Sequence, residues 1–217
     1  MTIALQEQRD RPQPTSTERA PTRRRAQTRA AVLKAARECI REEGIDGATV
    51  ARITKRCGVS WGVIQYHFGD RAGLFLALLE DGFSLLDGAL ALLEKGSGTR
   101  ADGADRVGAL IDGFWSLVAH DDYRVLLEVQ LQLSRDPDLA ARLRPKGGEM
   151  RGRLRDVWRH ALPECPAHLV DRAERLVTTN LRGLALERAT DGRRRGHAAD
   201  RDALKDAAIA ILHIEGP

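Results

Sequence analysis

Side chains capable of chemistry are thinly spread along this 217-residue chain. His120-Asp121-Asp122 offers an imidazole and two carboxylates, enough for acid–base work or for part of a metal shell. Three adjacent polar residues between apolar segments also make an ordinary loop with a helix N-cap, and that reading is preferred. Cys39, Cys57 and Cys165 lie far apart, are odd in number and lack CxxC spacing. Neither a disulfide framework nor a zinc site is expected from them. Gly96-Ser97-Gly98 lacks the Lys-Ser/Thr of a phosphate-binding loop and follows no strand, and neither G-x-S-x-G nor H-E-x-x-H occurs. Catalysis, a metal and a cofactor are therefore not expected.

A different kind of chemistry is concentrated in CGVSWGVIQYHFGD, residues 57–70, which holds Trp61, Tyr66 and Phe68 in a chain with only 3 Trp, 2 Tyr and 4 Phe. Val59, Ile64 and Phe68 recur at helix-like spacing and can pack inward, leaving Trp61, Gly62, Val63, Gln65 and Tyr66 largely outward. Exposed Trp and Val beside a glycine suit contact with thymine methyl groups, with Gly62 admitting close backbone approach. The Gln65 carboxamide is one of the few groups that can pair bidentately with adenine. Charge points the same way. Arg19 to Arg71 carries twelve Lys/Arg against five Asp/Glu, whereas the whole chain is only +4, so the remainder is net acidic. A basic N-terminal third calls for an anionic partner, and double-stranded DNA is the leading one.

The elements that must position these residues read as all-α. Residues 1–22 are rich in Pro, Thr, Gln and charge and are expected to be a disordered tail. Arg23, Arg24 and Arg25 close it and could reach an adjacent minor groove as a flexible arm. Val32, Leu33, Ala36 and Ile40 mark a first helix that Gly44 stops. Thr49 caps a short second helix, Gly58 makes a tight turn, and Ser60 caps a third from Trp61 to about His67. Three helices with a glycine turn before the last describe a helix-turn-helix over 23–70. Asp70 caps a connecting helix over 71–95, with Leu74, Leu78 and Leu85 on one apolar face. GSGTRADG, 96–103, is the candidate boundary to a helical region over 96–217. Within it Leu127 to Leu133 alternates as a strand would, but no second strand could pair with it, so helix is preferred. Asp136-Pro137 opens a further helix that Pro145-Lys146-Gly147-Gly148 should break or kink before Met150. No apolar run is long enough for a bilayer, and no secretory h-region precedes the helices, so a cytoplasmic protein without a membrane partner is expected.

Residues 47–75, GATVARITKRCGVSWGVIQYHFGDRAGLF, resemble the DNA-binding domain of tetracycline-repressor (TetR) family regulators. Thr49, Ile53, Gly58-Val59-Ser60, Gly62, Tyr66-His67-Phe68 and Arg71 carry the resemblance in register. Gln65, Thr54, Cys57 and Arg71 depart from the residues common there (Tyr, Ala, Ala and Lys). The resemblance implies that Thr49, Tyr66, His67 and Arg71 hold backbone phosphates while Ser60, Trp61, Gly62, Val63, Gln65 and Tyr66 form the recognition surface. It also implies a core that binds a small-molecule effector and a homodimer built from the last two helices, acting on a pseudo-palindromic operator. Leu176, Leu184, Leu204, Ala208, Ile211 and Leu212 lie on stripes that could form that interface. Phe114, Trp115, Leu126, Glu128, Gln130, Met150, Trp158 and Asn180 are candidate pocket lining, with polar Glu128 and Gln130 expected to seek partners if buried. The competing classes are a helical enzyme and a helical adaptor whose N-terminal domain binds no DNA. The adaptor would require the basic bias and the outward Trp61, Val63 and Gln65 to be accidental.

Overall fold

The computed structural model describes residues 16–97, 102–190 and 197–214, and all regular structure in them is helical. In chain order the helices are α1 (Ser16–Gly47), α2 (Val50–Cys57), α3 (Trp61–Phe68), α4 (Arg71–Ser97), α5 (Gly103–Val118), α6 (Asp121–Leu133), α7 (Pro137–Ala161), α8 (Ala167–Thr190) and α9 (Ala198–Leu212).

The start and stop signals act where the chemistry demands. Gly44 interrupts α1 at φ 73°, ψ 178°. The Thr49 hydroxyl accepts from the Arg52 amide at the head of α2, and Gly58 ends that helix at φ 68°, a left-handed conformation that costs a residue without Cβ nothing. Asp70 Oδ1 accepts from Gly73 N at 2.7 Å, opening α4. His120 caps α6, its Nδ1 accepting from the Asp122 amide at 3.2 Å, which is the role preferred for that polar triplet. Asp136 accepts from the amides of Asp138 and Leu139, with Pro137 as the first residue of α7.

Two expectations about helix extent are corrected. Residues 1–15 of the expected tail lie outside the described residues, but residues 16–22 and Arg23 to Arg25 belong to α1. The sequence contains no glycine between Ser16 and Glu43, and its Ala, Arg and Gln favour a helix that propagates outward from the packed half beginning at Val32. Pro145 and the glycines after it do not break α7 either. Pro145 is exposed, so the carbonyl it orphans can turn to water. Leu139 and Leu143 anchor one end of the helix in one core while Met150, Leu154 and Trp158 anchor the other end in a second.

Those two cores organise the molecule. The N-terminal core gathers Val32, Ala36, Ile40, Ile53, Ile64, Leu74 and Leu78, together with Val125, Val129 and Leu133 of α6. The C-terminal core gathers Leu90, Leu110, Phe114, Trp158, Val177, Leu181, Ala208 and Leu212. Helix α6 thus packs with the helix-turn-helix although it follows the 96–103 boundary in sequence. Its inward residues are spaced four apart, and the apparent strand alternation was misleading because Leu131 faces outward. Leu85 is likewise outside, 60% exposed. By that point α4 has left the first core and turns Phe83, Leu86 and Leu90 inward instead.

The expected stripes on α8 and α9 divide by burial. Ala208 and Leu212 are buried in their own subunit's core and offer nothing to a partner, because α9 must cover α5 and α8. Leu184, Leu204 and Ile211 are half-buried, and Leu176 is 37% exposed. Leu186, 52% exposed, and Ala203 and Ala210 are exposed on the same two helices.

Candidate DNA-binding surface

Helix α3 has eight residues and a single buried side chain, Ile64, which fixes its rotation. Val59 and Phe68 pack half-buried beside it, as their spacing predicts. Trp61 is then 39% and Tyr66 63% exposed, with Gly62 and Gln65 also outside and Val63 half-buried. Ser60 stands at the N-cap in extended conformation, yet its hydroxyl makes no capping bond. One α3 amide terminus is therefore left for another acceptor, and a phosphate oxygen suits it.

An open groove of about 1010 Å³ runs beside α3. Ser60, Gly62, Val63, Tyr66 and His67 line one wall, and Arg24, Arg25 and Thr28 of α1 line the other. The structure thus brings together most of the residues expected to read bases and phosphates. It also adds Thr28, which no motif signals. The Tyr66 and His67 rings meet edge to face, centroids 5.2 Å apart. Thr49 is exposed at the head of α2.

Charge across this surface is unevenly committed. Arg56 is paired with Glu42 and Glu38, and Arg52 with Glu43, so α2 spends two cations on α1. The Arg56 guanidinium holds the Glu42 carboxyl below its ordinary range. Arg24, Arg25 and Lys55 have no ion pair among the described residues and remain available to an anion.

Arg71 behaves differently from its expected phosphate role. Its Nη2 donates to the Ile45 carbonyl at 2.8 Å, its guanidinium lies 4.8 Å from the Phe75 ring centroid, and its Nε is buried without a partner among the described residues. The side chain is half-buried and ties α4 to the end of α1 beyond the Gly44 kink. This inward turn is a consequence of Phe75 and the free carbonyl lying together beneath it, neither of which is visible in a local motif.

The comparisons with known proteins agree with this geometry. Residues 32–78 match the model of bacterial regulatory proteins of the tetR family. The HTH-type transcriptional regulator BetI of Stenotrophomonas maltophilia is 30% identical over 143 residues, covering 65% of this chain and 72% of BetI. This chain belongs to the TetR family. The HTH-type transcriptional repressor AcnR of Corynebacterium glutamicum is 46% identical over 54 residues, 25% of this TetR-family chain. That match spans only 29% of AcnR's own length. A TetR-family regulator from Mesorhizobium loti shares the fold with a TM-score of 0.73 at 19% identity, over 87% of this chain and 98% of that one. The regulator FadR of Bacillus subtilis, solved in complex with stearoyl-CoA, does so with a TM-score of 0.62 at 17% identity, over 85% and 99%.

The eight candidate pocket residues of this TetR-family chain do not converge. Phe114, Trp115, Met150 and Trp158 are packed in the C-terminal core. Gln130 and Asn180 are exposed, and the Asn180 amide donates to the Leu176 carbonyl within its own helix. Glu128 is half-buried but already paired with Arg124, so it needs no ligand. Leu126 alone of the eight lines the cleft of about 210 Å³ between α4, α5 and α6, beside Leu85, Leu86, Ala89, Leu117 and Tyr123. Of the two polar residues in that apolar run, the helix leaves Gln130 exposed and gives the half-buried Glu128 a partner in Arg124.

A set of contacts tying α1 to α4 and α6 went unread in the sequence. Asp122 pairs with Arg41 of α1, and Arg124 Nη2 donates to the Arg41 carbonyl at 2.8 Å. Arg37 of α1 pairs with Asp81 of α4 at 2.6 Å. Arg37 and Asp122 both line the small cleft. Contacts between residues more than forty positions apart leave no local signal.

Proposed function

We propose that this chain is a cytoplasmic, homodimeric, sequence-specific DNA-binding transcriptional regulator. It acts as a repressor that a small-molecule effector releases from a pseudo-palindromic operator. The observation that carries the reading is the outward face of α3, where Trp61, Gly62, Gln65 and Tyr66 meet solvent beside a groove walled by Arg24 and Arg25, neither of which has an ion pair among the described residues. A solvated surface gains nothing from exposed Trp and Tyr, whereas a major groove offers methyl groups and base edges to both apolar and amide side chains.

Two substitutions separate fold from recognition. A Cβ at Gly62 meets only Ser60 Oγ, at 3.8 Å, so Gly62→Ala fits the helix and should raise stability by about 0.5–1 kcal/mol. It should nevertheless weaken operator binding by holding the backbone off the bases. Gln65→Ala should relax preference at one base pair per half-site, costing about 1–3 kcal/mol there. Titration of both variants against a panel of operator sequences, beside thermal melts, measures these effects. Unchanged affinity and unchanged base preference in both would overturn the reading.

Effector release is supported by the cleft between α4, α5 and α6 and by the Arg41–Asp122 and Arg124–Arg41 contacts, through which a shift of α6 would reach α1. An effector weakens DNA binding only by preferring the conformation that binds DNA poorly. The FadR neighbour, solved with stearoyl-CoA, supports a ligand-binding role for this fold. Ala89→Phe fills the cleft mouth far from α3, and should abolish effector response while leaving effector-free DNA affinity unchanged. Equal loss of both would contradict that assignment.

A further inference from the structure

We propose that Arg25 is a positioning residue for Tyr66, and that the two side chains together form a single clamp on a backbone phosphate beside the recognition helix. The inference rests on the DNA-binding reading above and assigns it a device on α1. Arg25 is not on a loose arm, because α1 continues without interruption from Ser16 to Gly44. Its guanidinium carbon lies 5.1 Å from the centroid of the Tyr66 ring. That ring is otherwise exposed near the end of a short helix, with the His67 ring edge-on beside it. A cation drawn to the ring restricts the rotamers of Tyr66 before any DNA arrives, reducing the ordering cost of binding.

The same arrangement leaves Arg25 able to act on the phosphate itself. Contact with an aromatic ring draws on the charge of the guanidinium and not on its forked N–H donors. Arg25 has no hydrogen bond or ion pair among the described residues, whereas Arg52 and Arg56 are committed to carboxylates. Arg25 and Tyr66 line the same groove, so a phosphate there can take two guanidinium hydrogen bonds and one from the phenol. Such a contact fixes register and carries no base information. It differs in kind from an arginine inserted into an A·T-rich minor groove, the role expected of a flexible arm.

The test titrates a duplex selected from a random pool, at several salt concentrations, with wild type, Arg25→Ala, Arg25→Lys, Tyr66→Ala and the double alanine variant. Arg25→Ala and Tyr66→Ala should each weaken binding to all base variants of the site by a common factor. Arg25→Ala removes one phosphate contact from each half-site and should lower the salt slope by about 1.8, and Arg25→Lys should restore the slope but only part of the affinity. The double variant should bind about twofold to fivefold per half-site better than the product of the single losses, the worth of one exposed cation–π pair in each subunit. Single losses that simply multiply would overturn the clamp, as would loss of preference for A·T pairs flanking the site. In the DNA-free protein, the δ protons of Arg25 should show a ring-current shift that Tyr66→Ala removes. Random-coil shifts with duplex binding intact would overturn the positioning role alone. A clear ring-current shift with no duplex bound would overturn the DNA-binding reading and the clamp with it.

Discussion

Gly73→Ala should cost this protein its DNA binding although Gly73 is not placed at the recognition surface. A Cβ at position 73 would stand 1.9 Å from the backbone carbonyl oxygen of Phe68, the last residue of α3. No rotamer change relieves a clash with backbone, so α3 must move off α4. Helix α3 is held by one fully buried side chain, Ile64, and by the half-buried Val59 and Phe68. Overpacking of this kind costs about 1–3 kcal/mol and occasionally more. Hydrogen exchange should show lost protection in α2 and α3 while the core around Trp158 and Leu181 keeps its own. Operator affinity should fall with that protection. Wild-type protection together with wild-type affinity would contradict the account of how α3 is seated. The contrast with Gly62→Ala is the instructive part: one methyl group fits and impairs only recognition, the other does not fit and impairs the scaffold.

The second large effect is expected at the outward face of α8 and α9. A single helix-turn-helix reads few base pairs, so useful affinity needs two half-sites engaged together. Avidity of that kind is worth on the order of 10²–10⁴ in affinity. Leu176→Glu combined with Ala203→Glu places charge on side chains that are exposed in the subunit and absent from its buried core. The variant should sediment as a folded monomer and bind operator at least about 100-fold more weakly. Charge at Ala208 would be the wrong experiment, because that residue is buried and its substitution would unfold α9. A folded monomer with full operator affinity would contradict the dimeric reading.

What the sequence made legible was local. Thr49, Gly58, Asp70 and Asp136 each act on backbone groups within four residues, so their types alone specify the cap or turn. The rotation of α3 was legible for a similar reason, since Val59, Ile64 and Phe68 share a period. What escaped was set by distant partners. Arg71 turns inward because Phe75 and the Ile45 carbonyl meet beneath it, and Ala208 is covered because α9 closes the C-terminal core. Helix α7 passes through Pro145 because its two ends are anchored in different cores, a tertiary gain that outweighs a local penalty. The arginines at 23–25 were read as an arm because residues 1–22 show almost no apolar periodicity, yet helix propagation needs no apolar face once a packed segment has nucleated it. The eight candidate pocket residues do not share one cavity, because core packing between distant elements decides which of them are covered.

The central claim is that the outward face of α3 reads DNA sequence. Selection of bound duplexes from a random pool by the full chain tests it most directly. The account predicts enrichment of one two-fold symmetric site, its half-sites a whole number of helical turns apart, with base preference in each half-site that Gln65→Ala relaxes at one position. A pool that stays random through selection, with binding that salt alone abolishes, would contradict it.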